Sequence, residues 1–270
     1  MRTLGESAIG DAAELAAFNA LPAATSREFR AHVYYTIAGD VRATAGVVGH
    51  NDDHGDDRVP GPISGYPCCC YNLHMGLPKL VRNAWAATPD GGLAALVWLP
   101  TEVDLPNGSG RLVCDTEYPF DETIRLSVEG EGSFPLLLRI PGWCAEPRVT
   151  VNGEAVAATP GSFLALRREW RRGDRIELVF PMTVALIPEV GGAVSVRRGP
   201  LAYGLEMEEE WTAVRSGPEG FDTYAVTSPT PWNVALIPAE GFRREGDRLV
   251  GRGRIVPEWT ARPDGRLPLD

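Results

Sequence analysis

Apolar residues recur at helical spacing up to about residue 90 and at strand spacing beyond it, following the two side-chain periods of 3.6 and 2. Ile9, Ala12, Leu15 and Phe18 predict a first helix that Pro22 ends. Leu73, Leu77, Leu80, Val81 and Ala84 share one face of a second. Pro78 suits a first helical turn, so the regular part of that helix is expected to begin there. Between the helices runs a polar, glycine-rich loop from Gly39 to Pro67. Loops of that length inside a compact domain are usually lids or binding segments.

After Asp90-Gly91-Gly92 the chain reads as β. Strands are predicted at Leu93–Leu99, Arg111–Asp115, Thr123–Val128, Pro135–Ile140, Arg148–Val151, Phe163–Leu166 and Arg175–Phe180. Thr123 to Val128 alternates polar and apolar residues, as a half-solvated strand does. Asn152-Gly153 is the strongest hairpin signal, because a two-residue primed turn needs positive φ. The spacing of these runs predicts a β-sandwich. Later strands are expected at Ala193–Val196 and Leu201–Leu205, and beyond Ser216 only Leu249 and Arg254–Val256 read as strand.

Composition narrows the function classes. With 270 residues, 44% of them hydrophobic, the chain has ample material for a core. Its formal charge of −10 argues against a nucleic-acid partner, whose phosphates demand a basic surface. No apolar run approaches the ~18 residues of a membrane span. Glu6, Asp11 and Glu14 interrupt any signal-peptide core at the N-terminus, so the chain as given is expected to be cytoplasmic. Five cysteines, three of them adjacent, do not form a disulfide framework. Cys114 and Cys144 sit singly in strand-like runs and are expected to be buried and structural.

Cys68-Cys69-Cys70 is the most informative feature. Three neighbouring side chains point in different directions, so at least one faces a cavity or solvent. Thiolates are nucleophiles and zinc ligands, and zinc holds a bound thiol deprotonated. His50, Asp52, Asp53, His54, Asp56 and Asp57 lie shortly before them. Such a cluster reads first as a solvated loop, and second as a source of histidines completing a Cys2His2-like set. His74 either borders a site or caps a helix, and Trp85, Trp143 and Trp170 read as core before they read as sugar platforms.

The phrase Cys68-Cys69-X-X-Asn72, followed by His74-X-Gly76-X-Pro78-Lys79, Trp85 and Gly91-Gly92-Leu93, resembles glycoside hydrolase family 127, the β-L-arabinofuranosidase-like family. So do Gly10-Asp11, Phe18-Asn19-Ala20-Leu21-Pro22-Ala23, Tyr118-Pro119, Leu138-Arg139-Ile140-Pro141-Gly142-Trp143, Val151-Asn152-Gly153 and Arg198-Gly199-Pro200-Leu201. The resemblance implies a mainly β chain with an α-helical N-terminal part. Residues 1–88 would be the incomplete end of an (α/α) barrel, 89–187 a middle β-sandwich, and 188–270 most of a C-terminal β domain.

It also implies retaining hydrolysis of an arabinose-containing glycan. Cys68 would be the nucleophile, and Cys68 and Cys69 zinc ligands. The family's other ligands come from a Glu-X-Cys phrase upstream, as does its acid/base glutamate. No Glu-X-Cys occurs in this chain. The chain alone is therefore expected to be inactive. Two other readings stay open. One is a non-catalytic β-sandwich that binds carbohydrate or supports another domain. The other is a small metal-binding or redox protein using Cys68–Cys70 with the His/Asp loop.

Overall fold

The computed structural model describes residues 5–36, 39–46, 55–189, 192–237 and 241–260. The protein is mainly β, with 14% helix and 39% strand among the described residues. Two compact units are interleaved along the chain: unit 1 holds residues 1–19, 76–185 and 197–202, and unit 2 holds 20–75, 186–196 and 203–270. Among the described residues no helix is long and apolar enough to cross a membrane.

The first helix, α1, spans Ala8–Leu15 and widens into a π turn over Ala16–Ala20 before the short α2, Leu21–Ala23. The sequence predicted one uninterrupted helix to Pro22. Its interruption has a cause in Asn19, whose Nδ2 donates to the Leu15 carbonyl at 2.7 Å and to the Pro200 carbonyl at 2.8 Å. Its Oδ1 accepts the Ala202 amide at 2.7 Å. A side chain inserted into the helical ladder opens it. The second predicted helix is likewise two: α3, Pro67–Leu73, and α4, Gly76–Arg82. Pro78 falls in the first turn of α4, where its missing N–H costs nothing.

Ten strands make the sandwich of unit 1. They are β1 Trp85–Ala87, β2 Leu93–Ala95, β3 Thr101–Asp104, β4 Arg111–Thr116, β5 Thr123–Glu129, β6 Gly132–Arg139, β7 Arg148–Val151, β8 Glu154–Val156, β9 Phe163–Trp170 and β10 Arg175–Val179. One sheet runs β1-β2-β6-β9 and the other β3-β4-β5-β10-β7-β8. Every described pairing is antiparallel except β2 with β6. Asn152 and Gly153 take φ of 52° and 86° in the β7–β8 hairpin, as the dipeptide predicted.

A single core joins the inward faces of both sheets. Ile124, Leu126 and Val128 of β5 meet Leu136 and Leu138 of β6 and Trp170 of β9. The outer face of the four-stranded sheet is covered too. There Ala94, Leu96 and Val97 pack with Phe18 and with Leu80 of α4. With both faces covered, β2 reads as a continuous apolar run.

The sequence predicted β2 to continue to Leu99, but it stops at Ala95. The next amides are diverted: Leu96 N donates to the Ala84 carbonyl at 2.8 Å, and Trp98 N to Glu14 Oε1 at 3.1 Å. Glu14 is fully buried. Its carboxylate also accepts the Tyr118 hydroxyl at 2.6 Å and pairs with Arg139, itself fully buried. Arg139 pairs in addition with Asp11, and its Nε donates to the Leu96 carbonyl at 2.7 Å. Asp11 Oδ2 in turn accepts the Gly142 amide at 2.8 Å. Helix α1 is thereby tied to the sandwich by ionised groups as well as by apolar contact.

Strands β11 Val184–Pro188, β12 Val194–Arg198 and β13 Leu201–Tyr203 form a three-stranded sheet. The tail departs most from expectation. It carries β14 Glu210–Arg215 with β15 Thr223–Thr227, β16 Val234–Leu236 with β19 Gly253–Ile255, and β17 Phe242–Glu245 with β18 Arg248–Gly251. Every residue of β14 is exposed, so no buried face imposes alternation there. Leu249 and the run from Arg254, both read as strand in the sequence, fall in β18 and β19.

Tyr118 supplies a test of the buried network. Burial, and then the Glu14 carboxylate beside it, hold its phenol well above the ordinary value. The folded state thus favours the neutral phenol, whereas the unfolded state ionises it near pH ~10. This contribution to stability is fully present below pH ~10 and is lost as pH rises beyond it. Tyr118→Phe is expected to cost ~1–3 kcal/mol at neutral pH, because Glu14 loses a buried donor. It should also flatten the alkaline fall in stability. Urea unfolding between pH 7 and 11 checks both, and an unchanged alkaline slope would contradict the burial.

Candidate functional site

Cys68–Cys70 occupy the first turn of α3. Pro67 is the first helical residue, and Tyr66 before it is extended at φ −94° and ψ 137°. Proline forces this junction: its ring disfavours helical backbone in the preceding residue while fitting the first turn itself. At 3.6 residues per turn, successive side chains rotate by about 100°. The three thiols accordingly have different surroundings. Cys68 is exposed, whereas Cys69 and Cys70 are half-buried. Cys70 Sγ donates to the Pro62 carbonyl at 3.2 Å. Asn72 Nδ2 donates to the Cys68 carbonyl at 2.8 Å, so the asparagine of the cysteine phrase braces its own helix.

Cys69 lies against Cys68. Burial first, then the hydrogen bond and charge of the Cys68 sulfur, push the Cys69 thiol above its ordinary value. Two adjacent sulfurs that resist joint ionisation are a pair whose deprotonation a cation would favour. They amount to half of a four-coordinate zinc shell. Among the described residues, no three His, Cys, Asp or Glu side chains gather closely enough to hold a metal ion.

The segment leading to α3 is built rather than loose. Ser64 Oγ donates to the carbonyls of Asp56 and Asp57, both at 3.0 Å, and accepts the Tyr34 amide at 3.2 Å. The Tyr34 and Tyr66 rings lie 5.2 Å apart. Gly65 adopts φ +57°, and a Cβ there would sit 2.5 Å from Asp57 Oδ1. Glycine is required at that point both by backbone sign and by space.

The expectation of a solvated acidic loop fails at its C-terminal end. Asp57 and Val59 are buried, and so is Arg58, which pairs with Asp40 at 3.1 Å. Asp56 pairs with Arg215 at 3.1 Å. His50, Asp52, Asp53 and His54 lie outside the described residues.

His74 is exposed and closes α3 as its C-cap residue, so it ends the helix before it and does not cap the one that follows, as the sequence had offered. Trp170 is fully buried in the sandwich core, against which Trp85 and Trp143 also pack. The reading of these tryptophans as core holds. Cys114 and Cys144 are buried as expected. Burial, and then Asp115, push the Cys114 thiol up to about 12, and burial raises that of Cys144. Sequence reasoning missed Glu14, treating it only as an interruption of an apolar run. The one available signal was its place on the α1 face, one turn from Asp11.

Residues 92–182 match the family model described as the β-L-arabinofuranosidase GH127 middle domain. Three solved structures share the fold. A protein named only as a glycoside hydrolase aligns with TM-score 0.58 and 20% identity over 93% of this chain and 45% of its own. A GH127 β-L-arabinofuranosidase from Geobacillus stearothermophilus T6 aligns with TM-score 0.57 and 23% identity over 86% and 41%. A GH127 β-arabinofuranosidase gives TM-score 0.63 and 20% identity over 93% and 42%. The chain thus spans less than half the length of each structure it resembles. No curated protein sequence matches it.

Native-state alkylation with iodoacetamide, mapped by mass spectrometry, should modify Cys68 first and leave Cys114 and Cys144 untouched. Reactivity follows thiolate fraction and access, and the two buried thiols lack both. Labelling of Cys114 or Cys144 ahead of Cys68 would overturn this placement.

Proposed function

We propose that the chain, whose residues 92–182 match the middle domain of glycoside hydrolase family 127, is part of a retaining glycosidase of that family whose substrate is an arabinose-containing glycan. Cys68 is its nucleophile. The supporting observation is an exposed thiol in the first turn of α3, with Cys69 at its side, in a chain that carries this domain. Helices α1 to α4 then belong to the end of a helical barrel, followed by the sandwich, which begins with β1 rather than at residue 89 and runs to about 187, and by the C-terminal β domain over 188–270.

In this reading the Cys68 thiolate attacks the anomeric carbon of the sugar while the bond to the leaving oxygen breaks. A sugar covalently held on Cys68 results, and water then releases it with net retention. The leaving oxygen takes up a proton from an acid group, and no residue of this chain matches the family's acid/base glutamate. Zinc, when bound, supplies the positive charge that keeps the attacking thiol deprotonated. Cys68 and Cys69 would hold it, supplying two of the four donors a zinc ion usually takes. Cys69 thereby binds and orients without attacking.

The 270-residue chain by itself should show no turnover of an aryl β-L-arabinofuranoside above background. Positioned acid catalysis alone is worth ~10²–10⁴ in rate, and the acid is absent. Supplying the helical segment that carries the Glu-X-Cys phrase, fused or as a second chain, should restore hydrolysis, and Cys68→Ser should abolish it again. Hydrolysis that survives Cys68→Ser in the restored protein would sink the assignment.

A further inference from the structure

Unit 2 contains a cavity of about 420 Å³ that none of Cys68–Cys70 lines. Its size is that of a small-molecule site. A second cavity of about 460 Å³ shares Ser26, Arg27, Glu209 and Trp211 with it, so the two adjoin at these side chains.

The Trp211 indole is 42% exposed. It is nevertheless held in place, because its Nε1 donates to Glu209 Oε2 at 2.8 Å and its ring meets Tyr224 edge-on at 5.6 Å. A fixed, exposed indole offers the negative face of its quadrupole to the slightly positive C–H groups along one side of a sugar ring. It loses little freedom on binding.

Three arginines face two carboxylates in the first cavity: Arg27, Arg42 and Arg58 against Asp40 and Glu209. Asp40 is already taken, since Arg58 Nη1 lies 3.1 Å from both of its oxygens. Glu209 is engaged by the indole. Arg42 Nε is buried and has no hydrogen-bond partner among the described residues. Among those residues no carboxylate forms an ion pair with Arg27 or Arg42 either. Guanidinium is the side chain best shaped to take a carboxylate through two parallel hydrogen bonds. The hydroxyls of Thr36, Thr227 and Ser228 also line the cavity and suit the hydroxyls of a sugar.

We infer that this cavity binds a sugar unit bearing a carboxylate, a uronic acid residue of the glycan, with its ring on Trp211 and its carboxylate on Arg42 and Arg27. The inference rests on the proposed function for the choice of a glycan as ligand. Its site is separate from Cys68 in residues and in chemistry. The second cavity, lined by Arg30 and Tyr224 as well as by the same indole, gives the chain of sugars a way to continue.

The experiment is titration of the 270-residue chain with methyl glucuronide, neutral methyl glucoside and inorganic phosphate, followed by calorimetry and tryptophan fluorescence. Methyl glucuronide should bind at least tenfold more tightly than methyl glucoside and shift the tryptophan emission. Arg42→Gln should weaken it tenfold or more. Trp211→Ala should do the same, while Trp211→Phe, which keeps a ring, should retain most of the affinity. Circular dichroism and the unfolding midpoint confirm that each variant is folded. Phosphate that competes as strongly as the uronate would reduce the site to an anion trap and overturn the proposal. So would the absence of saturable uronate binding, or binding indifferent to Arg42→Gln. Repeating the titration in Cys68→Ser separates the two readings, since a failure of the hydrolase assignment leaves this binding in place.

Discussion

The guanidinium of Arg139 is fully buried, and the rest of unit 1 is arranged around that fact. Burial opposes its charge, but Glu14 and then Tyr118 and Asp11 restore it, so the group stays cationic. A buried cation of this kind is not an efficient source of stability, since apolar residues of similar volume often do as well. It is an effective way to specify one arrangement. Removing either partner strands a buried charge at a cost of ~3–5 kcal/mol. Only one placement of α1 brings Asp11 and Glu14 to Arg139 while also giving Glu14 to the Trp98 amide. The truncation of β2 at Ala95 follows from the same bonds, because the Leu96 carbonyl goes to Arg139.

This network gives a physical meaning to phrases that were, in the sequence, only a resemblance. Gly10-Asp11, Phe18-Asn19, Tyr118-Pro119, Leu138 to Trp143 and Arg198 to Leu201 are scattered over most of the chain. In the fold they converge on the base of α1. Asp11 and Glu14 hold Arg139, Phe18 lies edge-on to Tyr118 at 6.0 Å, and Asn19 holds Pro200 and Ala202. The cysteine phrase is of another kind. Its asparagine braces the helix, and its proline and Gly65 fix the entry, leaving the Cys68 sulfur exposed.

Legibility followed burial. Strands with one buried and one solvated face, such as Thr123–Glu129 with its alternating burial, were visible in the spacing of their apolar residues. The hairpin at Asn152-Gly153 was visible because its backbone conformation admits few residues. Of the ribbons from Glu210 onward, β18 and β19 were visible only at Leu249 and from Arg254, and β14 was not visible, because its residues are all exposed and impose no alternation. Glu14 was misread for the opposite reason: a carboxylate in an apolar face looks like a defect until its partner, 125 residues away, is known. That one thiol faces outward was legible from three adjacent cysteines, whose side chains must point in different directions. The cavity beside Trp211 was not, since Arg27, Arg42 and Trp211 come together only through the pairing of Ala43 with Val226 and of β14 with β15.

The interleaving of the two units carries a consequence in time. Residues 1–19 belong with a sandwich whose last segment is residues 197–202. Between Asn19 and its partner Pro200 lie 180 residues of chain that a ribosome must first produce. At ~5–20 residues per second, α1 therefore waits on the order of ten to forty seconds for the carbonyl that Asn19 holds. During that interval its apolar face, with Phe18 at one end, has no finished surface to meet. Asp11 and Glu14 are thus made long before Arg139, the cation that holds both of them in the finished unit.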